Sequence, residues 1–160
     1  MKKKLVLSLG SNLGNRYAYL KQAIIAINEA FDILSLVAQF YETPPWGDTN
    51  QSRFINTAVL VETTLSPIQC IAVLQKIEKA LGRTKTSKWG PRSIDIDILF
   101  YENEVLLQEG LVIPHPHLQN RAFVLAPICD LIPTYRHPVL KKTMTELLMG
   151  LNNNTTIFKP

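Results

Sequence analysis

A chain of 160 residues with 46% hydrophobic and 19% charged residues has the size and composition of one ordinary globular domain with a sizeable core. Seventeen lysines and arginines against 13 aspartates and glutamates leave a net charge of +4, which suits an anionic ligand and is too small by itself to mark a nucleic-acid binder. Cys70 and Cys129 have no metal or redox spacing, so a buried free thiol at Cys70 and a reducing cytosol are expected, and no stretch is long enough to span a membrane.

The start, Met1 to Lys4 followed by Leu5 to Leu9, imitates a signal peptide, but its apolar run is short, Gly10, Asn12 and Gly14 break it, and no cleavage site follows. Residues 4–10 read as a strand ending in the polar turn Gly10–Asn15. A helix is predicted over about 16–31 from apolar Leu20, Ala23, Ile24, Ile27 and Phe31. Residues 33–43 read as one long strand; Pro44, Pro45 and Gly47 break it and open a polar loop to about Arg53. Another alternating strand follows at 54–64. Ser66 as N-cap, Pro67 in the first turn, Gln69 completing a capping box and Gly82 past the end delimit a second helix. Its apolar stripe is Cys70, Val73, Leu74, Ile77 and Leu81, with Gln75 and Glu78 on a more polar flank.

A basic loop then occupies 83–92 and a strand 94–101. Asn103-Glu104 reads as a hairpin turn into a short strand at 105–108. Beyond Pro114 short helices are predicted near 118–130 and 143–150. Strand, helix, strand, strand, helix, strand is the order of a ferredoxin-like split βαβ sandwich, an α+β fold with helices on one face of an antiparallel sheet. The open face, edged by loops 44–53 and 83–92 read as mobile, is then the ligand face.

Ten residues, Trp89-Gly90-Pro91-Arg92-Ser93-Ile94-Asp95-Ile96-Asp97-Ile98, carry the chemistry. Side chains two apart on a strand share a face, about 7 Å from each other. Ile94, Ile96 and Ile98 therefore enter a core while Asp95 and Asp97 project together. An apolar-in, polar-out strand is ordinary in a half-buried sheet, yet aspartate is poor in strands and two on one face repel. Mg²⁺ relieves that repulsion, because it takes one or two carboxylates together with phosphate oxygens. Arg83, Lys85, Lys88 and Arg92 just upstream suit polyphosphate, in a loop read as a lid over a nucleotide.

In Pro114-His115-Pro116-His117 two prolines stiffen the segment around His115, a candidate phosphate donor, with Asn120 and Arg121 close behind. The two histidines match no standard zinc spacing, and isolated His137 reads as structural. Tyr41, Thr43, Pro44, Pro45, Trp46, Phe54 and Asn56 combine ring faces with an amide, the materials of a flat-heterocycle pocket or of plain strand-end packing. No Gly-x4-Gly-Lys loop exists, so ATP would have to be held by other means.

The chain resembles the 6-hydroxymethyl-7,8-dihydropterin pyrophosphokinases of folate biosynthesis along nearly its whole length. The resemblance runs through Leu9 to Gly14, Tyr41-Glu42-Thr43-Pro44-Pro45, Phe54-Ile55-Asn56, Gly82-Arg83, Trp89 to Asp97, Pro114-His115-Pro116 and Asn120-Arg121-Ala122-Phe123. It implies transfer of pyrophosphate from ATP to the pterin hydroxymethyl oxygen, with attack at the β-phosphorus and release of AMP. It implies two Mg²⁺ on Asp95 and Asp97, with Arg83 and Arg92 catalytic beside them. By the same likeness Gln75, Arg83, Lys85, Trp89, Arg92, Ile98, His115 and Arg121 contact ATP, while Thr43, Pro45, Trp46, Phe54, Asn56, Trp89 and Phe123 line the pterin pocket.

Some positions depart from the family pattern. Lys85 stands where an arginine often occurs, Trp46 is larger than the aliphatic residue expected, and Gly110 and Val112 replace a basic and a hydroxyl residue of some members. One pyrophosphokinase domain over 1–160, monomeric and cytoplasmic, with no nucleic-acid or membrane partner, is the expectation. A metal-dependent nucleotidyltransferase also joins a Gly-Ser turn to an Asp-x-Asp strand, but there the two lie close in sequence, whereas Gly10-Ser11 precedes Asp95 by more than 80 residues. The mild charge and an aspartate-bearing sheet face disfavour a noncatalytic RNA-binding domain.

Overall fold

The computed structural model describes residues 1–43, 50, 52–83 and 92–151. Its elements run β1 (Lys3–Ser11), α1 (Arg16–Ala30), β2 (Ile33–Val37), β3 (Tyr41–Thr43), β4 (Phe54–Thr63), α2 (Pro67–Ala80), β5 (Asp95–Tyr101), β6 (Leu106–Gln108), β7 (Leu111–Ile113), a 3-10 turn over Leu118–Asn120, α3 (Ala122–Leu131) and α4 (Met144–Met149). The main sheet has the order β2-β4-β1-β5 with β3 also on β4, and every pairing is antiparallel. That is the α+β arrangement the element order predicts.

Alternation on the central strands builds the first core. Leu5, Leu7 and Leu9 of β1, Ile55, Val59 and Val61 of β4, and Ile96 and Ile98 of β5, with Ile94 just ahead of it, point to one face. Leu20, Ala23 and Ile27 of α1 and Cys70, Leu74 and Ile77 of α2 pack against them. Both helices start on side-chain caps: Asn15 Oδ1 accepts from the Ala18 N–H, and Ser66 and Gln69 form the predicted capping box. Cys70 is a fully buried free thiol, pushed up to about 11 by burial.

The opposite face is not open along its whole length. Val6, Ala58, Leu60, Leu99 and Phe100 form a second core with Val124, Leu125 and Ile128 of α3 and Met144 and Leu147 of α4. Helices thus pack on both faces, not on one. A bulge enlarges this second core. β1 pairs with β5 in one register from Leu7 to Gly10 and in another at Leu5 and Val6, leaving Leu99 as the extra residue. A bulge lets two successive residues share a face, so Leu99 and Phe100 both enter the second core. Phe100 is 2% exposed and meets Tyr135 edge-on at 4.8 Å. Phe100→Ala is expected to cost about 3–5 kcal/mol, read as a lower urea midpoint at unchanged m-value. His137, buried on the other edge of Phe100, accepts the Val139 and Leu140 N–H groups through Nδ1, a structural role as expected.

Two further boundaries differ from those predicted. The long strand over 33–43 is two strands, β2 and β3, with residues 38–40 between them. Asp130 of α3 takes the Gln39 N–H and the Tyr41 hydroxyl on one carboxylate oxygen, while Ala38 N–H bonds to Ala58 O. The strand after Asn103-Glu104 does not return onto β5. It pairs as β6 with β7 across Glu109-Gly110, where Gly110 has φ +81.

Candidate active site

On the second face each central strand changes character at the same level. Ser8 pairs with Ala58 on one side and Asp97 on the other; one step toward the strand ends, Gly10 pairs with Asn56 and Asp95. Directly paired residues point to the same face. On one side of this line the residues are apolar and covered by α3 and α4. On the other stand Ser8, Gly10, Phe54, Asn56, Asp95 and Asp97, beyond the reach of the second core. The candidate site is this uncovered end of the sheet.

The end of α2 supplies its acidic wall. Past C-cap Leu81, Gly82 (φ +85) donates to Lys79 O and Arg83 to Glu78 O. This is a Schellman ending, and it returns Arg83 to the last turn. There the Arg83 guanidinium sits against the Glu78 carboxylate and lies 3.1 Å from Asp95 Oδ1. Arg92 reaches the same Asp95 oxygen at 3.3 Å. Glu78 is buried, accepts the Ile96 N–H at 2.9 Å, and is pushed above the usual carboxylate range by burial despite Arg83. Asp97 is pushed up to about 7, first by burial and then by the charges of Asp95 and Glu78, with Arg83 and Arg121 pulling the other way. Three carboxylates are therefore matched by three guanidiniums.

The segment after β7 forms the facing side. The His115 N–H donates to Leu99 O, the carbonyl of the bulge residue, and His115 Nδ1 accepts the His117 N–H. A neutral ring held that way carries its proton on Nε2. Burial and the neighbouring Arg121 push His115 down to about 4, so it is neutral at physiological pH. Burial also lowers Arg121, against the pull of Asp97 and Asp95, and its guanidinium lies 5.8 Å from the centre of the Phe123 ring. Across the site, Asn56 Nδ2 donates to Thr43 Oγ1 at 2.8 Å, and both residues are buried.

Of the predicted residues, Arg83, Arg92, Asp95, Asp97, His115 and Arg121 form one cluster, and Thr43, Phe54 and Asn56 share the sheet end beside it. Phe123 lies in the first turn of α3, its ring beneath the Arg121 guanidinium. Gln75 points outward on α2, one turn before Glu78. Ile98 lies in the first core, on the far face from the aspartates. Pro45, Trp46, Lys85 and Trp89 lie outside the described residues. Two residues escaped the sequence reading. Glu78 sits four residues after Leu74 and eight after Cys70, so an acid on the buried stripe was the available signal. Asn12, 2% exposed, donates from Nδ2 to Ser52 O, accepts the Arg92 N–H on Oδ1 and gives its own N–H to Arg92 O; its place in the Leu9 to Gly14 stretch was the available signal.

Among the described residues no three His, Cys, Asp or Glu side chains converge as a metal site. The donor set nonetheless fits Mg²⁺, which needs only one or two carboxylates and completes its shell with water and phosphate oxygens. A carboxyl held near 7 by burial and then by negative neighbours is one that a cation would return to its charged form.

A carboxylate pair facing clustered guanidiniums on an α+β sheet is the equipment of an enzyme that handles polyphosphate. Residues 6–133 match the family described as 7,8-dihydro-6-hydroxymethylpterin-pyrophosphokinase. The chain belongs to this family: it is a pyrophosphokinase, a diphosphotransferase of folate biosynthesis. It is 39% identical over 140 residues to a 2-amino-4-hydroxy-6-hydroxymethyldihydropteridine pyrophosphokinase of Aquifex aeolicus, covering 88% of this chain and 87% of that one. A like-named protein of Methylorubrum extorquens is 44% identical over 129 residues, 79% of this chain and 81% of the other. In fold it is similar to a Plasmodium falciparum HPPK-DHPS variant, with a TM-score of 0.76 at 18% identity. That alignment covers 93% of this chain and 45% of the longer one. No helix among the described residues is long and apolar enough to cross a membrane.

Proposed function

We propose that the chain transfers a pyrophosphoryl group from ATP to the hydroxymethyl oxygen of 6-hydroxymethyl-7,8-dihydropterin. That oxygen gives up its proton to solvent and bonds to the β-phosphorus, the bond from the β-phosphorus to the α–β bridging oxygen breaks, and AMP leaves with that oxygen. One observation carries the reading: Asp95 and Asp97 stand together at the uncovered end of the sheet with Arg83, Arg92 and Arg121 around them. Asp95 and Asp97 would hold two Mg²⁺, which when bound neutralise the triphosphate oxygens.

The chain's own groups do the rest. Arg83 and Arg92 leave Asp95 Oδ1 for phosphate oxygens, forks suited to that geometry. Arg121 and the neutral His115, donating from Nε2, hold the phosphates from the opposite side. Thr43 and Asn56 fix the pterin ring edge, and Phe54 and Phe123 supply ring faces. Gln75 and the backbone of Ile98 serve the nucleotide. Pro45, Trp46, Lys85 and Trp89 join the two pockets on sequence resemblance. The chain acts as one domain over 1–160, as a cytoplasmic monomer, without nucleic acid or membrane.

The test is to mix protein, Mg·ATP and hydroxymethyldihydropterin and separate the products. AMP and a diphosphorylated pterin are expected in equal amounts. Pyrophosphate release with a nucleotidylated acceptor would make the chain a nucleotidyltransferase instead, and salt-dependent RNA binding without ATP turnover would make it a binding domain.

A further inference from the structure

Gly10 occupies the middle of the row Asn56–Gly10–Asp95. Strands lie about 4.8 Å apart, so the backbones of Asn56 and Asp95 are separated by about two such spacings, with only a hydrogen atom of Gly10 on the face between them. A methyl group built there would meet Asn56 Oδ1 at 2.8 Å and Phe54 Cδ1 at 3.5 Å. The first distance is closer than non-bonded carbon and oxygen tolerate. The amide is not free to retreat, because Nδ2 is bonded to Thr43 Oγ1 at 2.8 Å, Asn56 is 8% exposed and Thr43 is 1% exposed. Glycine in a central strand otherwise weakens it, and its usual reason is a close approach by another group. Here that group is the carboxamide. Gly10 has an ordinary strand backbone, so alanine is acceptable to the main chain and the conflict falls on the seat alone.

We infer that Gly10 is a positioning residue for ring specificity: it seats the Asn56 carboxamide against β1 so that the amide presents a fixed donor–acceptor edge to a flat heterocycle beside Asp95. The inference rests on the reading of Asn56 as a pterin ligand. Nδ2 gives one hydrogen to Thr43; the edge proposed for the ring is the other Nδ2 hydrogen with the Oδ1 lone pair beside it. A ring edge with an adjacent donor and acceptor matches that pair; an edge with two acceptors leaves Oδ1 opposed by a lone pair. A methyl at position 10 displaces the amide, breaks the Thr43 bond and removes the preference.

The experiment is a two-residue cycle with steady-state kinetics. Gly10→Ala should raise KM for hydroxymethyldihydropterin tenfold or more, with KM for ATP and the Kd of a nonhydrolysable ATP analogue within twofold. Asn56→Ala should also raise the pterin KM. In the Asn56→Ala background the carboxamide is gone, and Gly10→Ala should add less than a twofold further change. This last comparison stands even if Gly10→Ala alone is recovered unfolded. A pterin KM within twofold of wild type in a folded Gly10→Ala, an equal loss of nucleotide binding, or a full tenfold addition in the Asn56→Ala background overturns the inference. An Asn56→Ala protein with unchanged pterin KM overturns the reading of Asn56 and the inference with it, so the two failures are told apart by that single variant.

Discussion

Asp97→Asn is expected to lower kcat by on the order of a thousandfold or more, because it removes one of the two carboxylates that would hold the Mg²⁺ needed to neutralise the triphosphate. The fold should survive the change. Asn fills the same volume, and Asp97 makes the site more strained in the metal-free protein, since burial and the charges of Asp95 and Glu78 push it up to about 7 from 3.8. A carboxyl with a folded pKa above its unfolded one keeps its proton longer in the folded chain. From about pH 4 to about pH 7 the folded state therefore binds more protons, and stability falls as pH rises. Asp97→Asn lacks that contribution. Without metal, its melting temperature relative to wild type should rise across this window and level off above it. Mg·nucleotide should stabilise the wild type more than the variant. Unimpaired turnover of Asp97→Asn in Mg²⁺ would remove Asp97 from the metal site.

Arg92→Ala should cut kcat by about 10²–10³ while KM for the pterin stays within about threefold. The main chain should stay in place, because Asn12 holds Arg92 by its main-chain N–H and C=O, which alanine keeps. What disappears is the guanidinium that rests 3.3 Å from Asp95 Oδ1. Charge spreads over the phosphoryl oxygens in the transition state, so a lost cation is felt there more than in the ground state. Arg92→Lys should recover part of the rate, since it restores the charge without the planar fork. A pure rise in pterin KM at full kcat would place Arg92 in the wrong pocket.

The carboxylate pair was readable from local pattern alone. Alternation over 94–98 carries no break, and Ile94, Ile96 and Ile98 are buried as it requires. The capping box of α2 was readable for the same reason: its partners are three residues apart. The covering of the second face was not. Phe100 changes face only because β1 and β5 slip register at Leu99, and a slip exists between strands, not within one. Nor does any proline or glycine mark the break at 38–40; it is imposed by Asp130, some 90 residues away. Glu109-Gly110 is a turn signal for β6 and β7 that lies outside the hairpin read at Asn103-Glu104. Glu78 read as surface because it is an acid, although its spacing from Cys70 and Leu74 places it on the buried stripe.

Ser52 and Arg92 stand at the exits of the two segments that separate β3 from β4 and α2 from β5, and both are tied to the single side chain of Asn12. The chain between each pair of elements can therefore differ in length and composition without moving the point where the next strand begins. Substitutions within residues 44–51 and 84–91 are expected to act as changes of interchangeable cartridges, leaving the spacing between the carboxylates of β5 and the amide of β4 as it is. The same economy sets a vulnerable point: one asparagine, uncharged and bonded to main chain at both places, holds the exits of both cartridges.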